Sequence, residues 1–221
     1  MSITTETAYA GDALTTPEEV HAVTMPMRFD PLVDLDGMWT TDFADRYLPL
    51  PGLPDARYEC IDGRLVMTPA EVGTNSYGET KLARLLSPAA ETNRFYVFGQ
   101  VNLTFSPRRW VQPDVTVLHA LPKTDEEDRW IPAHLCTMAV EFVSPGSRRQ
   151  DFVDEPMRCA EGRVPYFLRV ELSRRLGHAQ AELFTLGKFG GYDTVARAVG
   201  GRRLSADLPF PIDFDPAELL P

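Results

Sequence analysis

Asp114 and Glu141 each stand inside a run that otherwise reads as a buried strand, QPDVTVL at 112–118 and MAVEFVSP at 138–145. A strand acid ordinarily lies on a solvated face or pairs with an arginine. Here Pro113-Asp114 opens a Val-Thr-Val run, and Glu141 is flanked by Ala139, Val140, Phe142 and Val143. A buried carboxylate is costly unless something positive neutralises it. On adjacent strands the two would come close enough to share a divalent cation. Hard ions such as magnesium take carboxylate oxygens, with water and phosphate completing the shell. An ion held there beside a phosphodiester activates water and offsets developing charge. The pair therefore points to metal-assisted hydrolysis.

Other chemistries find less support. Ser144 and Ser147 lie in SPGS, which is no GxSxG elbow, so the sequence argues against a serine hydrolase. His119 reads as the cap of a strand, and His21, His134 and His178 show no ligand spacing. Cys60, Cys136 and Cys159 are odd in number and form no CxxC. They fit neither a disulfide framework nor a zinc knuckle, and read as buried thiols in a reducing cytoplasm. Arg108-Arg109-Trp110 has the charge and the aromatic ring to hold a nucleic-acid strand, though an edge loop explains it as well. Tyr77 and Lys81, one helical turn apart, either line a cleft or form an exposed face, and Gly200-Gly201-Arg202-Arg203 reads as a solvated turn.

The elements that must position the acids follow from patterning. WTTDFADRY at 39–47 predicts a short helix capped by Thr40 or Thr41. In YECIDGRLVM, Asp62-Gly63 splits two β-prone runs and predicts a hairpin. Apolar residues at 82, 85, 86 and 89 predict a helix from Ser76, with Pro88 ending it or opening a new turn. FYVFGQVNLTF at 95–105 alternates as one strand, and QPDVTVLHA and CTMAVEFV are two more, separated by a charged loop, KTDEEDR. A helix is expected from Asp154 or Glu155, with Pro156 in its first turn, to about Glu161. VPYFLRVEL, AELFTL and YDTVARAV read as strands, and LPFPIDFDPAELL as a docked extended segment. Residues 1–30 predict a mobile tail, and 31–221 a single domain. Runs of strands with few helices predict an α+β fold.

The chain has 221 residues, of which 43% are hydrophobic, enough for one substantial core. No apolar run is long enough for a membrane span, and the N-terminus lacks the features of a secretory signal. A cytoplasmic location is the expectation. The net charge of −10 argues against passive attachment to nucleic acid or an anionic membrane, but leaves room for a local basic groove.

Taken in order, YECIDGRLVMTP, QPDVTVL, EFVSPGSRRQD and VPYFLRVE resemble the PD-(D/E)XK nuclease superfamily, and within it the Uma-two group of restriction-endonuclease-like proteins. The resemblance spans roughly residues 39 to 215. It implies a restriction-endonuclease-like core, a mixed β-sheet flanked by helices. It implies Glu59, Asp114 and Glu141 as metal-facing acids, Mg2+ or Mn2+ as cofactor, and DNA as substrate. A homodimer is also compatible with it, but no interface is legible, and the apolar tail fits its own subunit or a neighbour equally well.

One position departs from the pattern. The superfamily carries a lysine two residues after the second acid, where this chain has Val143. The Uma-two group usually carries it instead four residues after the aspartate that matches Asp151, which here is Glu155. Lys81, Lys123 and Lys188 are the chain's three lysines, and none lies in that segment. Losing one electrostatic stabiliser typically costs about a hundred- to a thousand-fold in rate. Glu155 is then either an additional ligand or the mark of lost catalysis, with Arg148, Arg149 and Arg158 as candidate replacements for the charge. Two functions stay open: a metal-dependent endonuclease, or a degenerate nuclease fold that binds nucleic acid or protein.

Overall fold

The computed structural model describes residues 29–50, 56–68, 71–144 and 150–221. Most of the expected N-terminal tail, and Arg148 and Arg149, lie outside the described residues. The fold is α+β, with one sheet of six strands, one of five and a small one of two.

Helix α1 (Pro31–Asp34) and helix α2 (Thr41–Tyr47) come first. Thr40 is the cap of α2, its hydroxyl accepting from Phe43 N at 3.3 Å. The predicted hairpin follows as β1 (Arg57–Ile61) and β2 (Arg64–Thr68). Its turn residues Asp62 and Gly63 both have positive φ, 54° and 87°. That is the geometry of the two-residue turn that matches strand twist, and Asp-Gly adopts it readily.

Helix α3 (Gly73–Thr92) runs through Pro88 rather than ending there. Its buried stripe Leu82, Leu86 and Ala90 continues on both sides of the proline, so packing outweighs the lost backbone donor. The Ser87 hydroxyl donates to Ala83 O at 2.7 Å beside the gap. The single strand expected over 95–105 is instead two, β3 (Tyr96–Phe98) and β4 (Leu103–Ser106). They lie in different sheets, and the chain crosses between the sheets at residues 99–102. Strands β5 (Arg109–Val111) and β6 (Val115–Leu118) repeat that split. The expected charged loop contains helix α4 (Asp125–Arg129), whose cap Thr124 accepts from Glu127 N at 3.1 Å. Its four first-turn acids lie at the positive end of the helix dipole, where negative charge is favourable.

Next come β7 (Ile131–Pro132), β8 (Cys136–Val143) and α5 (Glu155–Glu161), preceded by a π-helical turn at Gln150–Asp154. Strands β9 (Tyr166–Ser173), β10 (His178–Leu186) and β11 (Tyr192–Val199) form a meander, and β12 (Leu204–Ala206) pairs with β13 (Ile212–Phe214). The six-stranded sheet runs β11-β10-β9-β8-β6-β3, with β8 and β9 parallel. The five-stranded sheet runs β2-β1-β5-β4-β7.

Three apolar clusters fix this arrangement. Leu82, Leu86, Val140, Phe142 and Leu168 pack α3 on one face of the larger sheet. Phe210, Ile212, Phe214 and Leu219 complete that cluster, so the apolar tail docks on its own subunit. Cys136, Ala139, Cys159 and Phe167 pack α5 on the other face. Trp39, Trp110 and Trp130 anchor the smaller sheet, with the last two rings 5.0 Å apart. All three cysteines are buried free thiols, as their spacing suggested. No described helix is long and apolar enough to cross a membrane.

Candidate active site

Asp114 precedes β6 and is 3% exposed. Strands β6 and β8 are antiparallel neighbours, as the acid pair required. The Asp114 N–H donates to Val140 O at 3.0 Å, and its Oδ2 accepts from Phe142 N at 2.7 Å. The aspartate is thus clamped to β8 at the residues on either side of Glu141. Its Oδ1 accepts from Arg57 Nη1 at 2.7 Å, across from β1. With its amide oxygen turned toward these donors, Gln100 accepts from Arg57 Nη1 at 3.0 Å and Nε at 2.9 Å. Gln100 also hydrogen-bonds Asp114.

The cleft in front of Asp114 has a volume of about 770 Å³. Its α3 wall carries Ser76, Glu79, Thr80, Ala83 and Arg84. Tyr77 and Lys81, the helix positions singled out from the sequence, are not among the residues lining it. Carboxylate oxygens of Glu71, Glu79 and Asp114 lie within 4.8 Å of one another. Among the described residues this is the one group of three metal-ligating side chains so gathered. Glu71 is fixed by Asn75 Nδ2, which donates to its Oε1 at 2.8 Å, and by Arg57 at 3.7 Å. Glu79 Oε1 is buried and has no hydrogen-bond partner.

The charges of this cluster oppose one another. Burial, then the Asp114 charge, pushes Glu79 up to about 8, with Arg57 opposing and Glu71 adding. Burial also raises Asp114, against the Phe142 N–H, Arg57 and Gln100. Desolvation and like charge both favour the protonated acids, and a cation placed among them would compete with those protons. Three hard oxygen donors suit magnesium or manganese. The residues present therefore fit the ion that the nuclease resemblance implies.

Glu59, Glu141 and Glu155 are buried as well, 5%, 7% and 2% exposed. Glu59 Oε1 accepts from Gln112 N at 2.9 Å, and burial raises its carboxyl, opposed by that N–H, Arg158 and Arg57. Glu141 stands in register with Arg169 of β9. Glu155 begins α5 and is ion-paired with Arg158 one turn on. Burial, then the charges of Glu155, Cys136, Glu141 and Glu59, holds the Cys159 thiol well above its usual range, which locates all three acids around α5. Of the four acids singled out from the sequence, Asp114 enters the cleft cluster, and Glu59, Glu141 and Glu155 are not among its members.

Glu71, Glu79, Arg57 and Gln100 were not legible as site residues. Arg57 carried a usable signal: it lies two residues from Glu59 and so shares its strand face. Glu79 carried a weaker one, since Ser76, Thr80 and Ala83 give its helix face a small, polar stripe. Arg108-Arg109-Trp110 proves structural. Arg108 Nη2 donates to Gly37 O at 2.6 Å, Arg109 pairs with Asp62 and Glu161, and the Trp110 indole donates to Tyr58 O at 2.8 Å. His119 Nδ1 meets Thr137 Oγ1 at 3.2 Å, as a strand-end histidine would.

A family model described as Uma2, putative restriction endonuclease, matches residues 44–219. Among solved structures, one titled as a putative nuclease belonging to DUF820 from Anabaena variabilis ATCC 29413 superposes with a TM-score of 0.58. It is 15% identical, and the match covers 79% of this chain and 95% of that one. The likeness shows the fold. No curated protein matches the chain.

Proposed function

Because this chain belongs to the Uma2 family, described as putative restriction endonucleases, we propose that it hydrolyses DNA phosphodiester bonds with the help of magnesium or manganese. The observation that carries this is the convergence of Glu71, Glu79 and Asp114 in an open cleft. A divalent ion held there would lower the pKa of a water and offset charge on the phosphoryl group. Asp114 and Glu79 are the proposed principal ligands, with Glu71 beside them and Glu141 and Glu59 behind. Arg57 bridges Asp114 and Glu71. Its guanidinium fork is suited to a phosphate oxygen once Asp114 is engaged elsewhere. Arg158 supplies positive charge next to Glu59 and Glu155, near where the family lysine is missing. It stabilises charge there but does not accept a proton, so water activation falls to the carboxylates.

A second reading has its own support: Arg57 on Asp114 and Arg158 on Glu155 are internal cations that already neutralise two of the acids. A degenerate nuclease fold that binds nucleic acid or protein would keep such pairs. Purified protein is therefore incubated with supercoiled and single-stranded DNA with magnesium, with manganese, and with chelator, beside Asp114→Ala and Glu79→Gln. Metal-dependent cutting lost in both variants supports the nuclease. Absence of cutting by the wild type, together with no metal-induced rise in its melting temperature, supports the degenerate fold.

A further inference from the structure

A second cleft, of about 520 Å³, opens at the N-terminal end of α3, and its lining is electrostatically opposite to the first. Asn75, Val143, Ser173, Arg174 and Arg175 line it, and no acidic side chain does. Arg174 and Arg175 are exposed, and neither has a carboxylate partner among the described residues. Arg57, Arg109, Arg129, Arg158, Arg169 and Arg203 have one, while Arg64, Arg84 and Arg94, like this pair, do not, so it is the acid-free lining that sets the pair apart. Acids outnumber bases 32 to 22 in this chain, so two adjacent unpaired arginines in an acid-free cleft run against its composition.

Position ties this cleft to the first. Val143 lies two residues beyond Glu141 on β8, and Arg174 directly follows β9, the parallel neighbour of β8. Both therefore sit at the sheet end that carries Asp114. One side chain separates the clefts: Asn75 Nδ2 donates to Glu71 Oε1 at 2.8 Å and to Val143 O at 3.4 Å. The first turn of α3 adds no acid and no side-chain cap, while the Glu71 carboxylate just before it takes the Val72 N–H at 3.0 Å.

We propose that the Arg174–Arg175 cleft holds a backbone phosphate of a DNA strand, adjoining the phosphate at the carboxylate cluster. Guanidinium forks match phosphate oxygens bidentately. The arrangement gives an acidic protein a local purchase on a polyanion, on the side where the cluster's own acids would repel it. The identity of the ligand rests on the nuclease reading, while the existence of the subsite does not require that cutting occurs.

The test uses the full chain with chelator present and a short fluorescein-labelled duplex, followed by fluorescence anisotropy at several salt concentrations. Arg174→Ala/Arg175→Ala is compared with Lys188→Glu, which changes net charge by the same two units. Lys188 lies in the β10–β11 turn, at the opposite end of the β9–β10 pair. The double variant is expected to bind about tenfold more weakly, and its log–log salt slope to shrink by about 0.9, the value for one lost phosphate contact. Lys188→Glu should shift both far less, and all proteins should keep the wild-type melting temperature. Equal behaviour of the two variants overturns the proposal, as does a wild type with no salt-dependent binding. Cutting is assayed separately with magnesium or manganese. A binding contrast without cutting would sink the nuclease reading and leave this subsite. Cutting without the contrast would do the reverse.

Discussion

Arg57 Nη1 lies 2.7 Å from Asp114 Oδ1, so the most buried acid of the cleft cluster is met by a cation that the other sheet supplies. The side chains are 16% and 2% exposed, which makes this pair one that solvent screens weakly. Arg57→Ala would leave Asp114 desolvated beside Glu79 and Glu71. Removing one partner of a buried pair costs about 3 kcal/mol or more. Urea denaturation near neutral pH should show that loss, and magnesium or manganese should recover part of it. A variant as stable as the wild type would show that the pair contributes nothing net.

Glu79 gives the fold a pH dependence with a definite sign. Its carboxyl is raised from 4.5 to about 8, so the folded state keeps a proton that the unfolded chain releases. Stability from this group is full below pH 4.5 and is lost as pH rises through about 8. Glu79→Gln has no proton to lose. Without divalent ions, its melting temperature should gain on the wild type steadily across that window. Parallel pH profiles would mean that Glu79 is not held protonated.

Glu155→Lys would set a second cation beside Arg158. Position 155 is 2% exposed and ion-paired with Arg158, so the new ammonium would face a guanidinium. The expected cost is about 3–5 kcal/mol, read by denaturation, with no gain in DNA cutting. A loss under about 1 kcal/mol, the worth of an exposed pair, would show that the site opens to solvent.

Gly78 lets α3 lie close on the larger sheet. A Cβ there would stand 2.7 Å from Leu172 Cδ1 and 2.8 Å from Phe142 Cε1. Phe142 is fixed in the core between α3 and β8, so its ring cannot yield cheaply. Gly78→Val should destabilise by about 2 kcal/mol through overpacking, despite a better helix propensity. It should also weaken metal-induced stabilisation, because Glu79 is the next residue. A neutral result would mean that α3 shifts freely on β8.

The sequence exposed those parts of the site that rest on short-range rules. Asp62-Gly63 dictates its turn locally, and Asp114 and Glu141 betray themselves as charges in apolar strands. Family order then brings in Glu59 and Glu155. Glu79 is different, because on a helix surface an acid is ordinary. Only the crossing at residues 99–102 and the seating of α3 bring Glu79 beside Asp114. Helix α4 was hidden by the charge of DEEDR, and the continuation of α3 by Pro88. In α4 the Thr124 cap and the first-turn acids both favour the helix, and in α3 a buried stripe outweighs the proline.

Asp114 is held from two directions, by Phe142 N of the six-stranded sheet and by Arg57 of the five-stranded one. Neither sheet alone assembles the carboxylate cluster. A chain emerging from synthesis, or one partly denatured, carries the acids but not their arrangement. The carboxylate cluster is thereby absent until the whole protein has formed, and a damaged copy loses it.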